Sequence, residues 1–168
     1  MGEGFIMLRN MTTIYIINDD KVLLLYRIGS KVLSSPSWCG IGGHFEENEL
    51  NNPKACVLRE LSEETQIEKL DLKDIKLKYI TLRNKNDEIR QNYYFFANLK
   101  NKNLDITKYN CNEGKLEWML IKEAMQMDMP YTAKHCFKHY FDIGKNTDAV
   151  FAGIATEYGI DFVELKDF

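Results

Sequence analysis

GGHFEENELNNPKACVLRELSEET, residues 42–65, packs six glutamates, two adjacent glycines and one arginine into two dozen positions. Asn52 followed by Pro53 predicts a helix start, an N-cap residue with proline at the first helical position, and ACVLRELSEET continues the helix. On a helical wheel with Glu60 at 0°, Glu64 falls at about 40° and Glu63 at about −60°, so the three carboxylates share one arc. Leu58, Leu61 and Thr65 fall on the opposite side, a face suited to packing on a sheet. Glu60 and Glu64, four residues apart, oppose each other by about 0.2–0.5 kcal/mol unless something positive lies between them. A bound cation would supply that charge.

The donor chemistry selects the cation. Carboxylates and backbone carbonyls, without a nearby Cys or His pair, favour hard ions, Mg²⁺ first and Mn²⁺ second, over zinc. Mg²⁺ held by few carboxylates recruits phosphate oxygens as further ligands, which points to a phosphorylated substrate. Arg59 stands four residues before Glu63 and is placed to pair with it. Gly42 and Gly43 let the backbone approach a metal or phosphates where any Cβ would obstruct. Taken alone, a run such as RELSEE is usually a solvated helix face; the double glycine and the further acid Glu49 turn the reading toward a site.

The other 144 positions are ordinary by comparison. The 168-residue chain is 45% hydrophobic and 28% charged, and no apolar run reaches the ~18 residues that a membrane span needs. Its net charge of −3 is local: residues 42–65 carry six acids against two bases, and the remainder 19 acids against 20 bases. With no basic stripe, binding to duplex nucleic acid is not expected. MGEGFIMLRNMTT lacks the pattern of a secretory signal, so the expected location is cytoplasmic. Cys39, Cys56, Cys111 and Cys136 form no C-x-x-C pair and no metal-ligand spacing, and are expected to be reduced and mostly buried.

Residues 12–18 and 21–27 read as strands joined through Asp19-Asp20, followed by a polar loop over 29–37 that contains Pro36. Segments 76–83, 89–99 and 115–121 read as further strands, 131–142 as a helix, and 149–156 with 160–165 as a closing hairpin around Tyr158-Gly159. Strands interleaved with two or three helices predict an α/β or α+β domain, a sheet with helices packed on it.

The opening stretch resembles the Nudix box, whose pattern is G-x5-E-x7-R-E-U-x-E-E-x-G-U with U a bulky apolar residue. Gly43 and Glu49 match its first half, and Arg59-Glu60-Leu61-Ser62-Glu63-Glu64-Thr65-Gln66-Ile67 its second. Two departures stand out. Nine residues separate Glu49 from Arg59 where the pattern has seven, read as a loop insertion ahead of Pro53, and Gln66 replaces a glycine that ends the helix at positive φ. The resemblance implies a single Nudix hydrolase domain over 1–168, with an α/β/α sandwich, a mixed β-sheet and a C-terminal β-hairpin. It also implies hydrolysis of a nucleoside diphosphate linked to another moiety, with Gly43 (or Gly42), Glu60, Glu63 and Glu64 as metal ligands. By the same resemblance Arg59 and Glu49 orient them, and Glu64 acts as general base, with Glu63 or Glu113 as rivals.

The ends of the chain, VLLLYR with SWCGIGGHFE and MDMPYTAKHCFKHYF with the last hairpin, look like MutT-type enzymes that cleave nucleoside triphosphates to a monophosphate and pyrophosphate. That likeness assigns Arg27 to the triphosphate and lets Trp38, Met129 and Tyr131 line a base pocket. A mammalian oxidised-purine triphosphatase of this type reads the base with an Asn and two Asp; Cys39, Tyr131 and Thr132 stand there in this chain, which weakens an 8-oxo-dGTP assignment. Absence of proline between Pro53 and Pro130 argues against the ADP-ribose and NADH subfamilies. Cleavage of another nucleotide derivative, such as a nucleotide sugar or an RNA cap, and a nucleotide-sensing module without turnover are the alternatives. Oligomeric state is not legible.

Overall fold

The computed structural model describes residues 6–28, 35–106, 109 and 111–168. Residues 29–34 of the loop expected over 29–37, and the first five residues of the stretch read for a signal, lie outside the described residues. The strands are β1 (Met7–Asn18), β2 (Lys21–Arg27), β3 (Ser37–Cys39), β4 (Leu72–Lys85), β5 (Glu88–Leu99), β6 (Gly114–Leu120), β7 (Val150–Thr156) and β8 (Gly159–Leu165); the helices are α1 (Pro53–Thr65), the single turn α2 (Ile121–Ala124) and α3 (Tyr131–Asp142).

All eight strands join one mixed sheet in the order β3-β2-β1-β5-β4-β7-β8, with β6 paired to β2. β1 with β5 and β4 with β7 are parallel; the other ladders are antiparallel. The β1–β2 hairpin holds only Ile16–Asn18 against Lys21–Leu23. Beyond that point β2 leaves β1, and the segment after β3 takes its place through bridges Ile14↔Ile41 and Met11↔His44. This parting is where the site forms.

Period-2 alternation sends the two faces of the sheet to two helices. Ile14, Ile16, Leu23 and Leu25 pack with Val57 and Leu61 of α1, while Tyr15, Val22 and Leu24 pack with Ala133, Cys136 and Phe137 of α3. The result is the expected α/β/α sandwich, and each fully buried aliphatic side chain contributes about 1.5–3 kcal/mol. Helix α1 begins as its sequence dictates, with the Asn52 side chain accepting from the Ala55 N–H at 3.2 Å. It ends at Gln66, which adopts φ 62°, ψ 8° and returns its N–H to the Ser62 carbonyl at 2.8 Å.

Several expected boundaries move. β1 begins at Met7 instead of Thr12 because Met7–Met11 runs parallel to Glu88–Asn92, a long-range pairing that the polar residues Arg9 and Asn10 do not advertise. β4 starts at Leu72 through a bulged stretch in which Asp74 takes φ 54°, and bulges erase the alternation on which strand reading depends. Three-residue β3 and one-turn α2 are too short to show a period; Ile121, expected to end a strand, opens α2.

Candidate active site

Arg59 organises the site. Its Nε and Nη2 donate to Glu49 Oε1 and Oε2 at 2.8 and 2.9 Å, its Nη1 to Glu60 and Glu63 at 3.0 Å each, and Nη2 also to the His44 carbonyl at 3.0 Å. A planar guanidinium is the one side chain that can fork onto a carboxylate and still serve other acceptors. The extra residues ahead of Pro53 form a turn: Glu47–Glu49 make a 3-10 turn, the Asn52 N–H returns to the Glu49 carbonyl at 2.7 Å, and Leu50 projects to solvent. Glu49 thus still reaches Arg59. Arg59 holds the Glu49 carboxyl down at about 2, and Glu49 first, then Glu60, raises the Arg59 guanidinium further above its ordinary range.

The three helix carboxylates do not share one environment, as the wheel alone suggests. Glu63 is 59% exposed and turned to Arg59; Glu60 is 15% exposed; Glu64 is 5% exposed. The buried arc of α1 runs through Cys56, Val57, Leu61, Glu64 and Thr65. Leu58, expected on the packed face, is only partly buried. Helix α1 is wedged between the sheet on one side and loop 42–49 on the other, so Glu64 faces inward.

There Glu64 Oε1 accepts from Arg27 Nη2 at 2.6 Å, and the same Nη2 reaches the Gly42 carbonyl at 3.2 Å and Glu113 Oε2 at 2.5 Å. Glu64 Oε2 is buried with no hydrogen-bond partner among the described residues. Burial pushes the Glu64 carboxyl up to about 8: Arg27 opposes the shift, and Glu113, which shares Arg27, adds to it. Glu60 is raised as well, by burial, with Arg59 opposing.

Gly43 closes this corner. A Cβ there would lie 2.6 Å from the Glu60 carboxyl carbon, and one on Gly42, at φ 152°, would lie 2.1 Å from the Thr12 carbonyl oxygen. The glycines thus let this turn lie against β1 with the Glu60 carboxylate directly on the backbone.

Glu60, Glu64, Glu113, Arg27, Gly42 and Gly43 line one end of a cavity of about 780 Å³, within the range of small-molecule sites. Tyr131, Thr132, Met129 and Cys39 line it too, whereas Trp38 does not: its ring lies tilted against Tyr26, centroids 4.9 Å apart, and its backbone N–H donates to the Asp128 backbone carbonyl at 2.9 Å. Glu49 and Glu63 also stand off the cavity, behind Arg59. His44 is a loop residue whose Nε2 lies 2.9 Å from Arg9 Nη1.

Sequence reading missed Arg83, Lys85, Arg90 and Asn92, which form the cavity's wall on β4 and β5. They sit in strands distant in sequence from the box, and their alternation in RNK and RQN was the only available signal.

Among the described residues no three His, Cys, Asp or Glu side chains converge on a single point. The donors at the carboxylate end nevertheless suit a hard divalent cation. Three cavity-lining carboxylates, Glu60, Glu64 and Glu113, stand beside the glycine turn, one of them with a buried oxygen unpartnered among the described residues.

Residues 7–140 match the NUDIX domain. The fold is similar to the mutator MutT protein of Bacillus halodurans, with 24% identity, a TM-score of 0.62, and 94% of this chain and 95% of that one covered. It is similar to a C. elegans Ap4A hydrolase at 16% identity, TM-score 0.62, covering 84% and 99%. It is also similar to Shewanella oneidensis NrtR at 18% identity, TM-score 0.60, covering 81% and 62%. With most of its length matching the domain and the carboxylate helix in its expected place, the chain belongs to the Nudix family, hydrolases of pyrophosphate bonds in nucleotide derivatives that generally use divalent metal ions.

Proposed function

We propose that the chain hydrolyses nucleoside triphosphates to a monophosphate and pyrophosphate, using Mg²⁺ with Mn²⁺ as a substitute. Glu64 carries this reading: a buried carboxylate with one oxygen unpartnered, set beside Glu60 and Gly43 in a nucleotide-sized cavity. Glu60, Glu64 and the Gly43 carbonyl would hold the metal, joined by Glu63 when it leaves Arg59. Bound there, the metal supplies positive charge opposite the phosphate oxygens.

The chain's own residues divide the remaining work. Glu64, whose carboxyl burial pushes up and a bound cation would return to its ionised form, is placed to take a proton from attacking water through Oε2. Arg27 orients it through Oε1 and leaves Oε2 free. Glu113 is the rival base, reaching the same Arg27 from the turn before β6. Glu63, 59% exposed and bound to Arg59, is the weaker rival. Arg59 and Glu49 are positioning residues: they fix Glu60 and Glu63 without lining the cavity.

Oxidised purines such as 8-oxo-dGTP belong in the substrate panel without a preference for them. Cys39 Sγ donates to the Leu25 carbonyl at 3.5 Å and the Tyr131 hydroxyl to the Thr156 carbonyl at 2.7 Å, so two of the three positions that would read the base are committed elsewhere. The proposal takes residues 1–168 as one domain, because the β7–β8 hairpin beyond the matched region pairs with β4. It places the protein in the cytoplasm, consistent with four free cysteines. None of the described helices is long and apolar enough to cross a membrane.

Incubation of the protein and of Glu64→Gln with Mg²⁺ and ordinary and oxidised dNTPs, nucleotide sugars and ADP-ribose, with products resolved, tests the proposal. Monophosphate plus pyrophosphate from dNTPs, lost in the variant, is the expected result. No turnover of any triphosphate would overturn it, and tight binding without turnover would favour a sensor.

A further inference from the structure

The cavity end away from the carboxylates is cationic. Arg83 and Lys85 stand two residues apart on β4, Arg90 is the register partner of Arg83 on β5, and all three line the cavity. Glu88 pairs with Arg9 and Arg90, while Arg83 and Lys85 take part in no ion pair among the described residues. Asp128 is a further acid lining the cavity, on the α3 side, and its backbone carbonyl accepts from the Trp38 backbone N–H. Arg83 is also preorganised: its guanidinium carbon lies 4.9 Å from the centroid of the Tyr131 ring, whose hydroxyl is anchored on Thr156. The first turn of α3 lines the same space, and Pro130 gives it no side-chain cap, so its N–H groups add positive potential.

This wall is set apart from the carboxylate end. The 41–44 segment, β1, β5 and β4 are successive neighbours, so Arg83 stands three strand spacings, about 14 Å, from Gly43. A neutral base placed there would desolvate cations without giving them a counter-charge. A phosphate would accept the Arg83 fork, with Lys85 as a point charge beside it.

We propose that the β4–β5 wall binds a second phosphate, remote from the cleaved anhydride. The preferred substrates are then nucleoside 5′-di- or triphosphates that also carry a phosphate ester on the sugar. The near end of this proposal rests on the hydrolase reading; the far end rests on the charge of the wall alone.

Calorimetric binding of a nucleoside 3′,5′-bisphosphate against its 5′-monophosphate needs no turnover and tests the far end directly. The bisphosphate is expected to bind about tenfold tighter, with an advantage that shrinks as salt rises from about 50 to about 200 mM. The double variant Arg83→Gln/Lys85→Gln is expected to equalise the two ligands, and hydrolysis of a 3′-phosphorylated triphosphate should show the same preference in kcat/KM. Equal affinities in the unmodified protein, or an advantage that persists in the double variant, would overturn the assignment. Equal affinities with strong base dependence would give the wall to a stacked base instead. Tighter bisphosphate binding without hydrolysis of any nucleotide upholds this proposal and removes the hydrolase reading; hydrolysis with equal binding does the reverse.

Discussion

Arg59 grips Glu49 with two parallel hydrogen bonds of 2.8 and 2.9 Å, across a nine-residue separation in sequence. This fork ties loop 42–49 to α1 and leaves Nη1 for Glu60 and Glu63. Lysine has a point charge and no fork, so Arg59→Lys is expected to lower stability by about 1–3 kcal/mol, the worth of a charged hydrogen bond whose buried partner is stranded. Activity should fall together with it, because Glu60 loses its orientation. Urea midpoints and kcat measured side by side check this; an unchanged midpoint would show the fork to be idle. The pH sign follows from Glu49. Its folded value of about 2 lies below the ordinary carboxylate value, so its stabilisation is complete above pH of about 4.3 and is lost as pH falls toward 2. Glu49→Gln should flatten that acid limb.

The Arg27–Glu64 contact predicts the opposite slope. With the Glu64 carboxyl raised to about 8 by burial, the folded state holds a proton that the unfolded state has already released. Stability contributed at this site therefore declines as pH rises from about 4.3 through 8. Measured with chelator present, Glu64→Gln is expected to raise Tm at pH 8 relative to the unmodified protein and to lose that advantage near pH 5, while abolishing turnover. A variant less stable at pH 8 than at pH 5, relative to the parent, would mean that Arg27 holds Glu64 ionised.

Adjacent glycines should fail for different reasons. On Gly43 a methyl meets the end of a flexible side chain, Glu60, at 2.6 Å; on Gly42 it meets backbone, the Thr12 carbonyl oxygen at 2.1 Å, at a φ of 152°. Gly43→Ala is expected to leave stability within about 1 kcal/mol and to cost about 100-fold in kcat, the effect of a catalytic carboxylate displaced by an ångström. Gly42→Ala is expected to cost at least about 2 kcal/mol, since backbone cannot step aside. Thermal melts separate the two, and equal losses of Tm would contradict the geometry.

How much of this was legible depends on the range of the interaction. Asn52-Pro53, the Arg59–Glu63 spacing and the two glycines act within a few residues, and the structure places them as their local chemistry requires. Burial was not legible: on the wheel Glu60, Glu63 and Glu64 look alike, yet they range from 59% to 5% exposed because loop 42–49 and β2 cover one side of α1 and not the other. Trp38 was read as pocket lining from the likeness to MutT-type enzymes, but strand alternation turns Ser37 and Cys39 to the cavity and Trp38 away. Arg83 and Arg90 come together only through the β4–β5 register, which bulges in β4 obscure.

Gln66 isolates what the box requires for chemistry from what it requires for folding. It stands where the pattern has glycine and adopts the same left-handed conformation, φ 62°, closing α1 through its N–H to Ser62. A side chain in that region costs about 1–2 kcal/mol. Glycine removes that strain but gives back about 0.4–1 kcal/mol through the greater freedom of its unfolded chain. Gln66→Gly is therefore expected to stabilise the protein by about 0.5–1 kcal/mol, with kcat and KM unchanged, because the residue does not line the cavity. A chemical denaturation series beside a kinetic one decides the point. A gain in kcat along with stability would mean that the end of α1 positions Glu63 and Glu64, and the departure at Gln66 would then be a functional one.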